Sequence, residues 1–499
     1  MPNTQDLINE INSGYKTKGD SITLGAAMSG EDTLKEAFVK IPLKTINRHG
    51  LIAGATGTGK TKSLQVFAEN LSENGIPVLL MDIKGDLSGL AQPGEENEHI
   101  TKRHAGIGLP YKAKTFPVEI LTISDQKGTR LRATVSEFGP TLLSRILDLS
   151  DVQSGIVSII FQYCDDNNLP LLDLKDFKKI LQFATREGKE TFESKYGRIS
   201  TSSTGAILRR IVELEQQGGD LFFGERSFDV QDLVRIDEDG RGIISVLRLT
   251  DIQDKPKLFS TFMLQLLAEI YNTFPEQGDS DRPELVLFID EAHLVFENAS
   301  KTLSDQIESI VKLIRSKGIG IYFVTQNPKD IPSDVLSQLG LKIQHALRAF
   351  TAKDRKAIKL AAENFPDSDF YDTSEELTEM GIGEALVTVL NEKGIPTPLA
   401  RTKMRAPMSR MGILSEKELE DLLNLSKIAS KYNELIDRES AYEILDKKIE
   451  RINEEAEVNK TKKKSTQTRK SAVDPILKVV TSATFIRGVF GILNKVLKK

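Results

Sequence analysis

The sequence predicts an α/β fold built on a mostly parallel β-sheet. Short, continuous apolar runs alternate with segments of helical spacing. Strands that are apolar along their whole length are typical of a parallel sheet with helices on both faces. Phosphate-binding or acidic residues directly follow two of these runs, as expected at the carboxyl edge of such a sheet. The predicted strands are GLIAG (50–54), PVLLMDI (77–83), VEILTI (118–123), GIISVLRL (242–249), LVLFID (285–290), IGIYFVTQ (319–326) and LKIQHALR (341–348), followed by a closing hairpin of EALVTVL and TPLARTKM.

The hydrophobic periodicity and composition of the sequence change along its length, and these changes divide the chain into segments. Helical periodicity dominates from Gly139 to about Gln217 and interrupts the α/β pattern. The segments are a lead-in (1–45), the first part of the α/β core (46–138), a helical insertion (139–217), the second part of the core (218–406), a C-terminal helical extension (407–456), a flexible basic linker (457–473) and an amphipathic C-terminal helix (474–499).

Composition indicates an ordinary globular protein and restricts its class. The 499 residues are 39% hydrophobic and 28% charged, and the single cysteine, Cys164, excludes a disulfide framework. The first residues lack a signal-peptide core, and no run of about 18 apolar residues could span a membrane. We therefore expect a cytoplasmic protein. A net charge of −5 does not favour nucleic-acid binding by the whole surface, so any such surface must be local.

A phosphate-binding loop follows the first predicted strand of the core. GATGTGKT (54–61) matches the pattern G-x-x-x-x-G-K-[ST], and a predicted helix follows it. The backbone N–H groups of such a loop and the helix N-terminus bind phosphate oxygens. Lys60 is expected to reach the β- and γ-phosphates, and the hydroxyl of Thr61 to bind Mg²⁺. The predicted nucleotide-binding residues of this stretch are Gly54, Ala55, Thr56, Gly57, Thr58, Gly59, Lys60, Thr61 and Lys62.

The strand LVLFID supplies an acidic pair at its carboxyl end. Asp290 is predicted to hold Mg²⁺, and Glu291 to act as the base for a water nucleophile. A base positioned for water argues against a small-molecule kinase, which must exclude water. Since no guanine-reading N/T-K-x-D element follows a strand, ATP is the predicted nucleotide.

Further polar residues follow neighbouring strands. Gln326 ends its strand and is predicted to sense the γ-phosphate or orient the attacking water. Asp82 ends the strand PVLLMDI and is a candidate for water positioning or indirect metal contacts, with a solvated turn as the equal alternative. Arg315 and Arg348 are candidates for the cation that stabilises the transition state, and each could instead be a surface or salt-bridged arginine.

Taken together, the motifs resemble those of a known family. RHGLIAGATGTGKT, LLMDIKGDLSG, LVLFIDEAHLVF, IRSKGIGIYFVTQNPKDIP and LGLKIQHALRAFTAKDRKAIK resemble the HerA-like branch of the FtsK–HerA superfamily. Within it they are most similar to the bacterial YjgR-type proteins. The resemblance covers residues 20–450 and implies a RecA-like P-loop ATPase core, a hexameric ring and translocation of DNA through the central pore. It also implies an arginine supplied in trans by a neighbouring subunit, with Arg315 and Arg348 at matching positions.

Two alternatives to a DNA motor stay open at this stage. One is an ATPase motor that acts on protein, as in secretion and conjugation. The other is a scaffold whose assembly ATP switches. Local basic clusters, Arg209 with Arg210 and the helix TAKDRKAIK, could contact phosphates or form a solvated face. The amphipathic tail 474–499 could contact another subunit or a protein partner, lie on a membrane surface, or bind nucleic acid.

Overall fold

The computed structural model describes residues 3–278, 280–296, 301–434, 436 and 438–465. The predicted amphipathic helix 474–499 and the end of the predicted linker lie outside these ranges. Over the described residues, no helix is long and apolar enough to cross a membrane.

The described chain is rich in both strands and helices. Its twelve strands, β1 to β12, are Ser21–Ser29, Asp32–Pro42, Gly50–Ala53, Val78–Asp82, Val118–Thr122, Thr129–Arg130, Ile244–Arg248, Leu285–Ile289, Ile319–Thr325, Leu341–His345, Glu384–Thr388 and Ala400–Met404. The eighteen helices of the same ranges, α1 to α18, are Thr4–Gly14, Lys60–Glu73, Glu98–Ile107, Val135–Ile146, Asp151–Asp166, Leu174–Thr185, Lys189–Lys195, Thr201–Gln216, Gly219–Phe222, Pro256–Thr273, His293–Phe296, Lys301–Ile314, Ser333–Leu336, Ala352–Ala362, Thr373–Glu379, Glu416–Leu425, Ala429–Asn433 and Ala441–Ser465.

The strands form one sheet, which confirms the predicted α/β fold with a mostly parallel sheet. Its order is β2-β1-β12-β11-β10-β3-β9-β8-β4-β7-β5-β6. All neighbours from β10 to β6 are parallel, whereas β2, β1, β12 and β11 are joined to one another and to β10 in antiparallel fashion. The carboxyl ends of β3, β9, β8 and β4 therefore meet at one edge, which we call the carboxyl edge.

The sheet is covered on both faces, and side chains alternate between two apolar cores. Leu79 and Met81 of β4 point into the core that contains the insertion helices. Val78 and Leu80 of the same strand point into the other core, with α2. This two-residue alternation within an entirely buried strand explains why β4 is apolar along its whole length.

The N-terminal lead-in contributes two strands that the sequence analysis did not predict. Strand β1 pairs with β12, and β2 pairs with β1 at the edge of the sheet. Close backbone contact is required where they join, since a Cβ on Gly25 would lie 1.9 Å from the carbonyl oxygen of Lys403. β2 is only partly buried, so its sequence lacks the continuous apolar run that identified the parallel strands.

The C-terminal extension returns to the helical insertion. Helix α18 packs on α6, where the N–H of Tyr442 donates to a carboxylate oxygen of Asp176 (2.8 Å). The helix continues to Ser465, so residues 457–465, predicted as flexible linker, are helical instead. The composition of this stretch allows the helix to continue, because EVNKTKKKS contains neither glycine nor proline, the residues that most disfavour a helix.

Candidate active site

The phosphate-binding loop is anchored to the strands on both sides of β3. The N–H of Gly54 donates to the carbonyl of Thr325 at the end of β9 (3.3 Å), and that of Ala55 donates to the carbonyl of Ala346 after β10 (2.8 Å). Gly54, Gly57 and Gly59 have positive φ angles of 152°, 78° and 117°. Residues other than glycine rarely adopt this backbone conformation. The glycines of the motif are thus required by the backbone path itself.

The loop and Lys60 together fit a bound phosphate. Lys60 is 5% exposed, and its Nζ donates to the carbonyls of Gly54 (2.7 Å) and Ala55 (3.2 Å). The ammonium therefore lies over the loop, and burial lowers its pKa. A Cβ on Gly57 would meet no atom within 4 Å, so space is open above the loop. Thr61 follows in the first turn of α2, where its hydroxyl is available to a cation beside the phosphates.

The acidic pair lies at the same edge, directly after β8. Asp290 is 4% exposed, and burial raises its pKa to about 6. Glu291 is 5% exposed and has a φ of 44°, an unusual backbone conformation for a non-glycine residue. Such strain persists where the surrounding structure holds it, and it is common at catalytic positions.

Three side chains surround the carboxylate of Glu291. Nζ of Lys84 lies 2.5 Å from Oε1, and Nε2 of Gln326 donates to the same oxygen at 3.5 Å. Nδ1 of His293 lies 3.3 Å from Oε2. Burial alone would raise the pKa of Glu291, but the cation of Lys84 outweighs it, so the pKa is lowered and the carboxylate is ionised at neutral pH.

One oxygen of Glu291 lacks a hydrogen-bond donor among the described residues. Oε2 is buried and, over the part of the chain that the structure describes, accepts no hydrogen bond. An ionised oxygen in this position can accept a hydrogen bond from water and then take its proton. The arrangement is what a general base for hydrolysis requires.

Gln326 connects the base to the phosphate-binding loop. It follows β9, and its Oε1 accepts from the hydroxyl of Thr56 (3.4 Å) while its Nε2 reaches Glu291. The register explains this contact, because Thr325 of β9 pairs directly with Ala53 of β3. Side-chain contacts thus link three of the predicted residues: Thr56, Gln326 and Glu291.

Lys84 is a site residue that the sequence analysis did not select. It follows β4, which lies beside β8, so its ammonium reaches Glu291. The available signal was its position directly after the predicted strand 77–83. Asp82, which was selected, accepts from the N–H groups of Gly85 (2.7 Å), Asp86 (3.2 Å) and Leu87 (3.2 Å). Asp82 thus caps a turn, as its alternative has it, but it is buried rather than solvated. A role in nucleotide binding stays a prediction.

His345 is a second residue that sequence reasoning missed, and it supports the loop from below. It is fully buried at the end of β10. Its Nδ1 lies 2.8 Å from the carbonyl of Glu384, and its Nε2 lies 2.9 Å from the hydroxyl of Ser63 in α2. Burial lowers its pKa to about 4, so the ring is neutral and can accept from Ser63. A Cβ on Gly54 would lie 2.5 Å from Cβ of His345, which explains the glycine there.

The remaining predicted residues lie around the edges of the site. Nζ of Lys62 donates to the carbonyl of Met411 (2.6 Å), away from the loop. Arg348 follows β10 at the carboxyl edge, is exposed and donates to the carbonyl of Thr378 (3.2 Å). Arg315 precedes β9 and lines a cavity of about 410 Å³ with Lys44 and other polar residues.

Arg315 is therefore distant from the phosphate-binding loop of its own chain. It lies at the amino end of β9, whereas the loop lies at the carboxyl end. The strand Ile319–Thr325 alone separates the two edges by about 20 Å. Within one chain the structure does not bring Arg315 and Lys60 together.

Comparison with known proteins agrees with this site. The family model described as "Helicase HerA-like C-terminal" matches residues 28–488. The chain is 23% identical to the DNA double-strand break repair helicase HerA of Sulfolobus acidocaldarius, over 74% of this chain and 68% of that protein. It is 27% identical to the DNA import protein CedB of the same organism, over 71% of this chain and 52% of that one.

Solved structures share the fold at low sequence identity. The bacterial conjugative coupling protein TrwB (TrwBdeltaN70) is 15% identical, with a TM-score of 0.53 over 82% of this chain and 94% of that one. VirB4 of Thermoanaerobacter pseudethanolicus is 15% identical, with a TM-score of 0.51 over 79% and 98% of the two chains. TrwB has also been solved with ADP and Mg²⁺ (TM-score 0.50, 14% identity, 81% of this chain and 100% of that one). The match over most of the sequence identifies the family: the chain belongs to the helicase HerA-like C-terminal family and is a P-loop ATP hydrolase.

Proposed function

We propose that this protein uses ATP hydrolysis to move DNA through a ring of identical subunits, as a HerA-like translocase or helicase. The observation that carries the proposal is the buried, ionised Glu291, whose Oε1 is held by Lys84 and Gln326 while its Oε2 accepts no hydrogen bond among the described residues. A base poised for water beside a phosphate-binding loop supports hydrolysis rather than phosphoryl transfer to a metabolite. ATP is the proposed nucleotide because no guanine-reading motif is present in the sequence.

Each residue of the site has a distinct part in the proposed hydrolysis. Lys60 exchanges the carbonyls of the loop for the β- and γ-phosphates. Thr61 and Asp290 hold Mg²⁺, which when bound neutralises charge on the phosphates. Glu291 accepts the proton of the attacking water at Oε2. Gln326 positions that water. Because it contacts both Thr56 of the loop and Glu291, its orientation can change with the presence of the γ-phosphate and move with it the contact to the base.

The location of Arg315 supports assembly into a ring, for which a hexamer is the expected form. An arginine at the amino edge cannot stabilise charge at its own loop about 20 Å away. It can do so at the site of a neighbour, as arginines supplied in trans do in other ATPases. Arg348, exposed beside the loop of its own chain, is the second candidate.

The names of the relatives support DNA as the polymer. HerA of Sulfolobus acidocaldarius is described as a DNA repair helicase and CedB as a DNA import protein. The basic side chains of α14, which phosphates could contact, are exposed and comprise Lys353, Arg355, Lys356 and Lys359. We propose a cytoplasmic location, and contact of the tail 474–499 with another subunit or a protein partner.

Steady-state ATP hydrolysis tests the proposal directly. The rate is measured with increasing double-stranded DNA, single-stranded DNA or RNA, for the wild type and for Lys60→Ala. We expect several-fold stimulation by DNA that weakens with salt and is absent in the variant. Hydrolysis that no polymer changes would overturn the DNA motor and favour a protein-directed motor or an assembly switch.

A second measurement tests the ring. Light scattering of the protein with ATP and Mg²⁺ gives its mass in solution. We expect the mass of six chains of 55.4 kDa each. Only monomers at micromolar protein would contradict assembly.

A further inference from the structure

An exposed isoleucine lies beside the phosphate-binding loop, on the segment between α15 and β11. The N–H of Gly383 donates to the carbonyl of Thr58 (2.9 Å), and a Cβ on Gly59 would lie 3.3 Å from Cα of Gly383. Ile382, the residue before this contact, is 70% exposed. The segment thus presents an apolar side chain to solvent directly next to the loop.

Hydrogen bonds hold the backbone of this segment on both sides of Ile382. The guanidinium of Arg103 donates to the carbonyls of Ile382 (3.0 Å) and Gly383 (3.0 Å). A carboxylate oxygen of Glu384 accepts from the N–H of Gly381 (3.1 Å), while Arg401 binds the same carboxylate. Binding of a ligand against a preformed surface of this kind costs little conformational entropy.

A second apolar side chain approaches the same region from the C-terminal extension. Residues 405–414, which we call the strap, run along α2 towards its N-terminus. Ser409 and Arg410 contact Gln65, and the carbonyl of Met411 then accepts from Nζ of Lys62 (2.6 Å). Met411 is 37% exposed at this point. It therefore lies beside the first turn of α2.

The geometry of the site determines which end of a nucleotide faces these side chains. Gln326 contacts the loop at Thr56 and also contacts Glu291, so the proposed base, and with it the γ-phosphate, lies on the Thr56 side of the loop. The segment that contains Ile382 contacts the loop at Thr58, and the strap contacts Lys62. Both contacts lie further along the chain than Thr56, towards α2. The sugar and base of the nucleotide must extend this way.

We infer that Ile382 and Met411 form two apolar walls of the binding site for the nucleobase. The inference rests on the proposed function, because it assigns the remaining part of the same nucleotide site. Purine rings have apolar faces and polar edges, and aliphatic or thioether side chains pack against the faces. These walls therefore contribute affinity for a purine nucleotide without distinguishing adenine from guanine.

Binding of two ligands to the full-length chain separates the base from the phosphates. Affinity is measured with Mg²⁺ for a non-hydrolysable ATP analogue and for inorganic tripolyphosphate, which has no base. The variants are Ile382→Ser and Met411→Ser. Ile395→Ser is the matched control, because Ile395 is 55% exposed in the turn between β11 and β12, away from the loop. Circular dichroism verifies folding of each variant.

Each wall variant is expected to weaken binding of the ATP analogue about tenfold and to leave tripolyphosphate binding unchanged. A GTP analogue should lose affinity by the same factor, and Ile395→Ser should match the wild type. Unchanged affinity for the ATP analogue in both variants, or equal loss for both ligands, would overturn the inference. Loss of assembly with unchanged nucleotide affinity would overturn it too and assign the side chains to a subunit contact. If the wild type bound neither ligand, the proposed ATPase function itself would fail, which is a distinct result.

Discussion

Nζ of Lys84 lies 2.5 Å from Oε1 of Glu291, which ties the turn after β4 to the acidic pair after β8. The two strands are parallel neighbours, so their carboxyl ends meet at one edge. Gln326 donates to the same oxygen from the end of β9. Residues that follow two different strands thus hold one carboxylate oxygen, while the other accepts no hydrogen bond among the described residues. The predictions on catalysis follow from this division of the two oxygens.

Replacement of Glu291 by glutamine removes the base and keeps its shape. We expect Glu291→Gln to bind nucleotide as the wild type does and to lower kcat by about a hundredfold or more, because an amide cannot take the proton of water. Equilibrium binding of a labelled ATP analogue and steady-state hydrolysis measure the two effects. Turnover close to the wild-type rate would assign the base to another residue.

Replacement of Lys84 by methionine tests whether the ion pair holds the base in place. Methionine keeps the length of the side chain and removes its charge, so Glu291 loses its closest partner. We expect Lys84→Met to lower kcat by about tenfold or more. The affinity for a non-hydrolysable nucleotide should change much less.

The matched control for Lys84 is Lys427→Met. Lys427 forms an exposed ion pair with Glu238 at 3.4 Å, and such pairs contribute little to stability. This variant should hydrolyse ATP as the wild type does. If Lys84→Met did the same, the pair with Glu291 would have no part in turnover.

The location of several candidate site residues could be predicted from local sequence pattern. The loop 54–61, Asp290 and Gln326 each follow an apolar run, and the carboxyl end of a parallel strand is enough to predict a shared edge. Lys84 and His345 were missed because their roles depend on the order of strands in the sheet. That β4 lies beside β8, and β10 beside β3, results from long-range packing that no short stretch of sequence encodes.

The outer strands of the sheet were also not predicted from local pattern. Strand β2 mixes exposed and buried residues, so it lacks the continuous apolar pattern that revealed the central strands. Strand β1 is buried over residues 24–28, but three of these five are the small residues Gly25, Ala26 and Ala27. Local pattern was also insufficient at Asp82, where one carboxylate can serve a turn or a nucleotide. In the structure both oxygens of Asp82 accept from N–H groups of the turn 85–87, and a role in nucleotide binding stays a prediction.

Mixing of two inactive variants tests whether Arg315 acts in trans. Lys60→Ala lacks a working phosphate site, and Arg315→Ala lacks the proposed cation. If the cation comes from a neighbour, mixed rings contain interfaces with an intact Lys60 on one side and an intact Arg315 on the other. We therefore expect part of the ATPase activity to return on mixing.

The same mixture made with Arg348→Ala distinguishes the two arginines. Recovery with only one of them identifies the residue that acts in trans. Arg315→Ala is first verified by circular dichroism, since the residue also lines a cavity at the amino edge. No recovery in mixtures that form rings would contradict action in trans by either arginine.

The strap is held to α2 by a buried carboxylate. Glu69 accepts from the N–H groups of Met408 (2.8 Å) and Ser409 (2.9 Å) and from the hydroxyl of Ser409. In Glu69→Gln an amide group faces some of these donors, so hydrogen bonds are lost in a buried position. We expect the free energy of unfolding to fall by about 1–3 kcal/mol, measured by urea denaturation. Glu73→Gln, on the same helix but partly exposed in a pair with Lys114, should change it by less than about 1 kcal/mol.

His49 makes stability depend on acid pH. The ring is buried, Nδ1 accepts from the N–H of Ile321 (3.0 Å), and Nε2 donates to the carbonyl of Val311 (3.0 Å). Burial lowers its pKa from 6.5 to about 4. A histidine that binds its proton less readily when folded contributes stability above its unfolded pKa, and this is lost as the pH falls from 6.5 towards 4. For His49 the loss by pH 4.5 is about 2 to 3 kcal/mol.

The variant His49→Asn isolates this contribution. Asparagine tolerates the positive φ of 55° at this position but does not titrate. The variant should be less stable than the wild type at pH 7, because its shorter side chain cannot span both backbone partners. Its stability should then fall less between pH 7 and 4.5, by about 2 kcal/mol, than that of the wild type. His99→Asn, exposed in α3, should follow the wild-type profile. Parallel profiles for His49→Asn and the wild type, measured by urea denaturation at each pH, would show that His49 does not cause the acid sensitivity.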